Sequence, residues 1–221
     1  MPDLTDIETR IKRQYPEVDL SYQWIWPPTN QKILDFYGEP IDNLKEEDFT
    51  VRLFHKFHDA LISAAGDRDQ VLKIIELIVR EWGGIRNNKP ATLAAYADHL
   101  ITGNLKKLFV TSGISSKSKI LAAWDPEQYF IYDSRVAIAL QKLYSEKYKF
   151  HIPNPKIGEN RKIQIKRLIG ELKQSRGERV DYLGFCEGLR NTGHGSQLEK
   201  KLFILGKYIQ EQADPRKFSG Y

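Results

Sequence analysis

Cysteine is almost missing from this chain: Cys186 stands alone among 221 residues. That excludes an intrachain disulfide framework and any cysteine-rich zinc site. Long apolar runs are missing too, since none approaches the about 20 residues that a membrane-spanning helix needs. The first residues, Met-Pro-Asp-Leu-Thr-Asp-Ile-Glu8, are acidic and polar and lack the basic-then-apolar pattern of a secretory leader. A cytoplasmic protein of a reducing compartment, with no membrane association, is the expectation these absences set. Internal repeats, low-complexity linkers and a sustained apolar–polar alternation of the strand type are also lacking.

What is present favours a folded helical protein. Hydrophobic residues make up 41% and aromatics 11% of the chain, enough for a sizeable core. Lysine and arginine number 34 against 29 acidic residues, a net charge of +5. That is a mild pointer to an anionic partner, of a kind many soluble proteins share. The length fits one large domain or two small ones. We therefore expect a single helical domain over residues 1–221, or two helical subdomains with a cleft near 109–145.

Apolar spacing at i, i+3, i+4 and i+7 predicts a helix from Phe49 to Ile62. Asp67 is placed to cap the next helix, whose apolar side runs from Val71 to Trp82 and stops at Gly83-Gly84. Further helices are predicted over Ala91–Ile101, from Asn104 through Val110, around Lys119, over Asp133–Tyr148, over Arg161–Gln174, over Val180–Leu189 and over Gln197–Gln212. In the basic helix Ile163, Ile165, Leu168, Ile169 and Leu172 are taken as its inner side. The segment Ser21-Tyr-Gln-Trp24-Ile-Trp26-Pro-Pro28 is either an aromatic strand or a packed loop. The expected fold class is all-α, compact and globular.

The chemistry concentrates in Ser118-Lys119-Ile-Leu-Ala-Ala-Trp124-Asp-Pro-Glu-Gln-Tyr129-Phe-Ile-Tyr132-Asp133-Ser134-Arg135-Val136. It reads as a short helix carrying a lysine, a tight turn, and an apolar approach to an aspartate that opens the next helix. Lys119 and Asp133 are either an amine nucleophile with its carboxylate partner or a buried ion pair. Asp133 is also a favoured helix cap in its own right. An amine is nucleophilic only when neutral, so a nucleophilic lysine needs partial burial or a positive neighbour. Ile120, Leu121, Ala122, Ala123 and Trp124 are placed to bury it.

This segment resembles the core of the helix-hairpin-helix DNA glycosylase superfamily, in which a hairpin lysine precedes a segment ending Val-Asp-x-x-Val. The counterpart here is Ser118-Lys119 followed by Phe130-Ile-Tyr-Asp133-Ser-Arg-Val136, within about forty residues, roughly Phe109 to Ser145. The resemblance implies that Lys119 attacks the sugar C1′ and that Asp133 stabilises the cationic sugar. It implies DNA as partner, a flipped base, and an aromatic pocket for it. Trp82, Trp124 and Tyr132, with Trp24 and Trp26, are the pocket candidates. Gly113, Ser115, Ser116 and Lys117 are the candidates for holding a phosphate at the hairpin, with Arg135 beside the site and Lys166 and Arg167 on the basic helix. The chain departs from the family where the hairpin's Gly-hydrophobic-Gly is reduced to Gly113 alone. It departs again where the family's histidine after the aspartate is replaced, Ser134-Arg135 following Asp133 here. No four-cysteine cluster is present, so no iron–sulfur centre and no other cofactor is expected.

Plainer readings stand beside these. Arg135 also fits a surface charge on a first helical turn, and the basic run fits the solvated side of an amphipathic helix. His55 and His58 lack convincing further metal ligands. Arg190-Asn-Thr-Gly193-His194-Gly195 fits an interhelical turn better than a phosphate loop. Cys186 fits a core position. The leading functional expectation is base excision by N-glycosidic cleavage, with lyase chemistry through Lys119. The alternatives are a catalytically silent nucleic-acid-binding relative, as in a DNA modification or phage-defence system, and a helical protein-interaction module.

Overall fold

The computed structural model describes residues 3–21, 30–39, 46–105, 108, 113–153 and 162–213. Trp24 and Trp26, Thr111-Ser112, and most of the helix expected from Asn104 to Val110 lie outside these residues. The described chain is mostly helical and divides into two compact units, Met1–Tyr22 with Tyr132–Tyr221, and Gln23–Ile131. No helix among the described residues is long and apolar enough to cross a membrane.

The Gln23–Ile131 unit contains α2 (Gln31–Tyr37), α3 (Glu46–Ser63), α4 (Arg68–Glu76), a π-helix (Leu77–Trp82), α5 (Pro90–Ile101) and α6 (Ile114–Trp124). Local chemistry sets most of its boundaries. The Asp67 side chain accepts from Asp69 and Gln70 N–H and starts α4, using donors a helix start leaves unpaired. Pro90 opens α5 at a position where its missing N–H costs nothing. Gly83 ends the π-helix. The core draws Leu53, Phe57 and Leu61 from α3, Val71 and Ile75 from α4, Leu93 and Ala97 from α5, and Ile120, Leu121 and Ala123 from α6. Each large apolar side chain buried in this way contributes about 1.5–3 kcal/mol. Phe36 stacks on Phe57 at 4.9 Å, and Phe54 meets the Trp82 ring edge-on at 4.8 Å.

The other unit contains α1 (Ile7–Gln14), α7 (Ser134–Tyr144), β1 (Tyr148–Phe150), α8 (Lys162–Leu172), β2 (Glu178–Val180), α9 (Tyr182–Arg190) and α10 (Gly195–Gln212). Its main packing is α7 on α10, with α1 laid against both. Gly206 makes this approach possible, because a Cβ there would lie 2.0 Å from the Arg135 carbonyl oxygen. Ile7, Ile11, Val136, Leu140, Phe185, Leu189, Leu202 and Leu205 form the core.

Three sequence expectations need correction here. The helix opened by Asp133 ends at Tyr144 rather than Tyr148, and Tyr148 begins a strand. The helix expected from Val180 begins at Tyr182, because Val180 belongs to β2. β1 and β2 pair in parallel, Tyr148 with Glu178 through Phe150 with Val180. A two-stranded ribbon alone is marginal. Here Gln141, fully buried on α7, donates to the Tyr148 carbonyl at 3.1 Å and accepts from Phe150 N–H at 2.8 Å. The side-chain amide thus takes the place of a neighbouring strand. Lastly, Ile163 is 80% exposed, not on the inner side of α8, which Ile165, Leu168, Ile169 and Leu172 form.

Candidate functional site

Among the described residues, helix α6 is the most heavily buried polar stretch. Ser116, Lys117, Ser118 and Lys119 are all at most 7% exposed, and Gln141 is the one other buried polar side chain among the described residues. Burying lysine stems and heads in succession is costly unless each head has a defined neighbour. Asn88 donates from Nδ2 to the Ser116 hydroxyl at 2.7 Å, and the Ser118 hydroxyl donates to the Ser115 carbonyl at 3.2 Å. Lys117 Nζ lies 5.5 Å from the centre of the Tyr96 ring, and burial holds the Lys117 ammonium below its ordinary pKa. Gly113 precedes the helix in the left-handed region at φ 74°, with the Tyr96 hydroxyl where a Cβ would stand, 2.8 Å away. Burial pushes that hydroxyl's pKa up.

Lys119 is held by the π-helix. Its Nζ lies 5.8 Å from the Trp82 ring centre, within cation–π reach, and its Cδ rests on Gly83. A Cβ on Gly83 would come within 2.8 Å of that carbon and within 2.9 Å of the Ile78 and Val79 carbonyl oxygens. π-helical turns recur at functional sites because the extra residue re-aims the side chains that follow. Here the turn ends on Trp82 and Gly83, both of which meet Lys119. Trp82 itself is half-buried, as is Trp124, whose carbonyl lies 2.6 Å from His58 Nδ1. That contact ties α3 to the end of α6 and gives His58 a structural role. No group of three or more potential metal-ligating side chains occurs among the described residues.

Asp133 belongs to the other unit, where it is the N-cap of α7. Its Oδ1 accepts from Arg135 N–H at 2.8 Å and Val136 N–H at 3.0 Å. Both bonds use the same oxygen. Arg135 sits with its guanidinium 4.7 Å from the centre of the Phe203 ring. Tyr132 is 2% exposed, edge-on to Tyr182 and Phe185, and donates to the His151 carbonyl at 2.8 Å. It packs as a core side chain with a satisfied hydroxyl. Lys166 and Arg167 are exposed on α8, where Arg167 pairs with Glu171 at 3.1 Å. Cys186 is buried in the core, and Gly193 turns the chain from α9 into α10 at φ 67°.

The fold thus gathers Lys119 with Trp82, and Gly113 with Ser116 and Lys117, in one unit. It gathers Tyr132, Asp133 and Arg135 in the other. Gly83, Asn88, Tyr96 and His58 support these residues, yet none of them stood out as a site residue in the sequence. Gly83 is legible there only as a helix stop. Its contact with Lys119 has no signal within a single segment. No family model, curated protein or solved structure matches the chain.

Proposed function

We propose that this chain is a DNA N-glycosylase of helix-hairpin-helix type, with Lys119 as an amine nucleophile. The observation that carries the reading is the seating of Lys119: a lysine 7% exposed, aligned along the face of Trp82 and pressed on Gly83 at the end of a π-helix. A lysine needed for solubility alone has no reason to sit there. In sequence, Ser118-Lys119 followed by Phe130-Ile-Tyr-Asp133-Ser-Arg-Val136 carries the resemblance to the superfamily.

In this mechanism the Lys119 amine bonds to C1′ of the sugar as the bond from C1′ to the base nitrogen breaks. The base departs with that electron pair. The imine formed after ring opening supports strand cleavage by β-elimination. Asp133 has one oxygen engaged in capping α7, and it is the resemblance to the superfamily that assigns its carboxylate the role of stabilising a cationic sugar. Trp82 and Trp124, both partly open, offer ring faces to an extruded base.

Borohydride trapping on duplexes carrying abasic sites or damaged bases tests this. The wild-type chain should form a covalent complex with DNA, and Lys119→Gln should form none. A complex that persists in Lys119→Gln removes Lys119 from the mechanism. No complex on any such duplex removes the imine route altogether.

A further inference from the structure

The β1–β2 ladder places like charges side by side. Lys149 is the register partner of Arg179. Phe150 and Val180, the next pair, are 3% and 6% exposed and point into the core. Alternation therefore sends Lys149 and Arg179 to the solvent side of the ladder. Lys147 and His151, two residues before and after Lys149, share that side, and the ladder reaches Lys147 through the bond from Glu178 N–H to its carbonyl, 2.8 Å. Adjacent strands lie only about 4.8 Å apart, and like charges directly opposite destabilise a sheet.

Several cations elsewhere in the chain have ion-pair partners: Arg10 with Asp6, Arg68 with Asp98, Arg80 with Glu76, Lys201 with Glu8. Lys147, Lys149, Lys173, Arg176 and Arg179 make no ion pair within 4.0 Å among the described residues. His151 registers the resulting field: its pKa is lowered first by burial and then by Arg179 and Lys173. The acidic residues next to Arg179 are Glu178 and Asp181, and neither ion-pairs with it among the described residues. Glu178 pairs in register with Tyr148 on the opposite side, and Asp181 caps α9 by accepting from Gly184 N–H at 2.9 Å. None of the exposed large apolar side chains (Val51, Ile62, Ile101, Ile163, Leu183) lies on either strand. A lipid surface would need such an anchor, whereas a polyanion with regularly repeated charges does not.

We propose that the solvent side of the β1–β2 ladder, built by Lys147, Lys149, His151 and Arg179 with Lys173 beside them, holds the phosphate backbone of a nucleic acid. The proposal rests on the nucleic-acid reading above but not on Lys119 acting as a nucleophile. The fold accepts repulsion across the ladder in exchange for a surface that releases counterions when a phosphate strand docks.

The test is fluorescence anisotropy of a labelled duplex titrated with the full chain over a series of KCl concentrations. Lys149→Ser/Arg179→Ser should weaken binding at least about tenfold at low salt and flatten the log–log salt slope by about two. Its melting temperature should match or exceed the wild type's, because the repulsion is gone. Lys149→Glu/Arg179→Glu should weaken binding further. Unchanged affinity and slope in both variants overturns the proposal. So does a wild-type chain that binds phosphatidylserine vesicles and no duplex. If the wild-type chain binds duplex through this surface yet never traps covalently, the catalytic reading fails and this one stands.

Discussion

Gly83 and Lys119 are in van der Waals contact across two helices, so close that a Cβ on the glycine would lie 2.8 Å from Lys119 Cδ. The lysine tail can bend away, but the Ile78 and Val79 carbonyl oxygens at 2.9 Å from the same point belong to the backbone and cannot. Gly83→Ala is expected to destabilise by about 1–3 kcal/mol as an overpacked site. It should also cut borohydride trapping more than it cuts duplex binding. Urea denaturation and the two DNA assays on one preparation check this. A variant that traps at the wild-type rate would show that the seating of Lys119 does not matter.

Gly206 is the corresponding close approach in the other unit. A Cβ there meets the Arg135 carbonyl oxygen at 2.0 Å and its carbon at 2.4 Å, both backbone atoms. Gly206→Ala must force α10 off α7 and should cost about 3 kcal/mol or more. Gly170, on α8 with nothing within 4 Å, supplies the contrast. Gly170→Ala should stabilise by about 0.5–1 kcal/mol through helix propensity alone. Thermal and urea unfolding of the two variants should shift in opposite directions.

Capping and catalysis can be separated at Asp133. Asparagine caps a helix about as well as aspartate, so Asp133→Asn should keep stability within a few tenths of a kcal/mol, whereas Asp133→Ala should lose about 1 kcal/mol. If the carboxylate also stabilises a cationic sugar, base release should fall in both variants. Base release at the wild-type rate in Asp133→Asn would leave Asp133 as a cap and nothing more.

Glu8 governs part of the acid sensitivity. Hydrogen bonds from Lys12 and then Lys201 hold its pKa down to about 2 from an ordinary 4.5. A carboxyl with a lowered folded pKa stabilises the fold above the unfolded value, so the contribution is present above pH 4.5 and lost as pH falls towards 2. Glu8 is partly exposed, and screening limits the contribution to about 1 kcal/mol. Glu8→Gln should lower stability at pH 7 by that amount or less and give a shallower acid limb between pH 4.5 and 2. Urea midpoints measured across this range check both.

Much of the helical frame was written in local sequence. Asp67 and Asp133 start their helices with side-chain oxygens on N–H groups two or three residues away, and Pro90 and Gly83 mark boundaries through their own backbone preferences. Such signals operate within a few residues, so they survive without knowledge of the rest of the chain. The seating of Cys186 in the core was legible for the same reason, from its apolar neighbours on one helical turn.

Only the tertiary structure decided the rest. β1 and β2 are three residues each and thirty apart in sequence, too short for periodicity to reveal, and they exist because they pair with each other and with Gln141. That pairing ended α7 early and delayed α9. Ile163 has the spacing of an inner residue, but no described element covers it and it is exposed. Lys119 and Asp133 could be singled out by type and order. The seating of Lys119 on Trp82 and Gly83 and the side-by-side cations of the ladder could not, because each depends on residues brought together from distant segments. Local hydrogen bonding determined where helices begin and end, and non-local packing determined what their side chains meet.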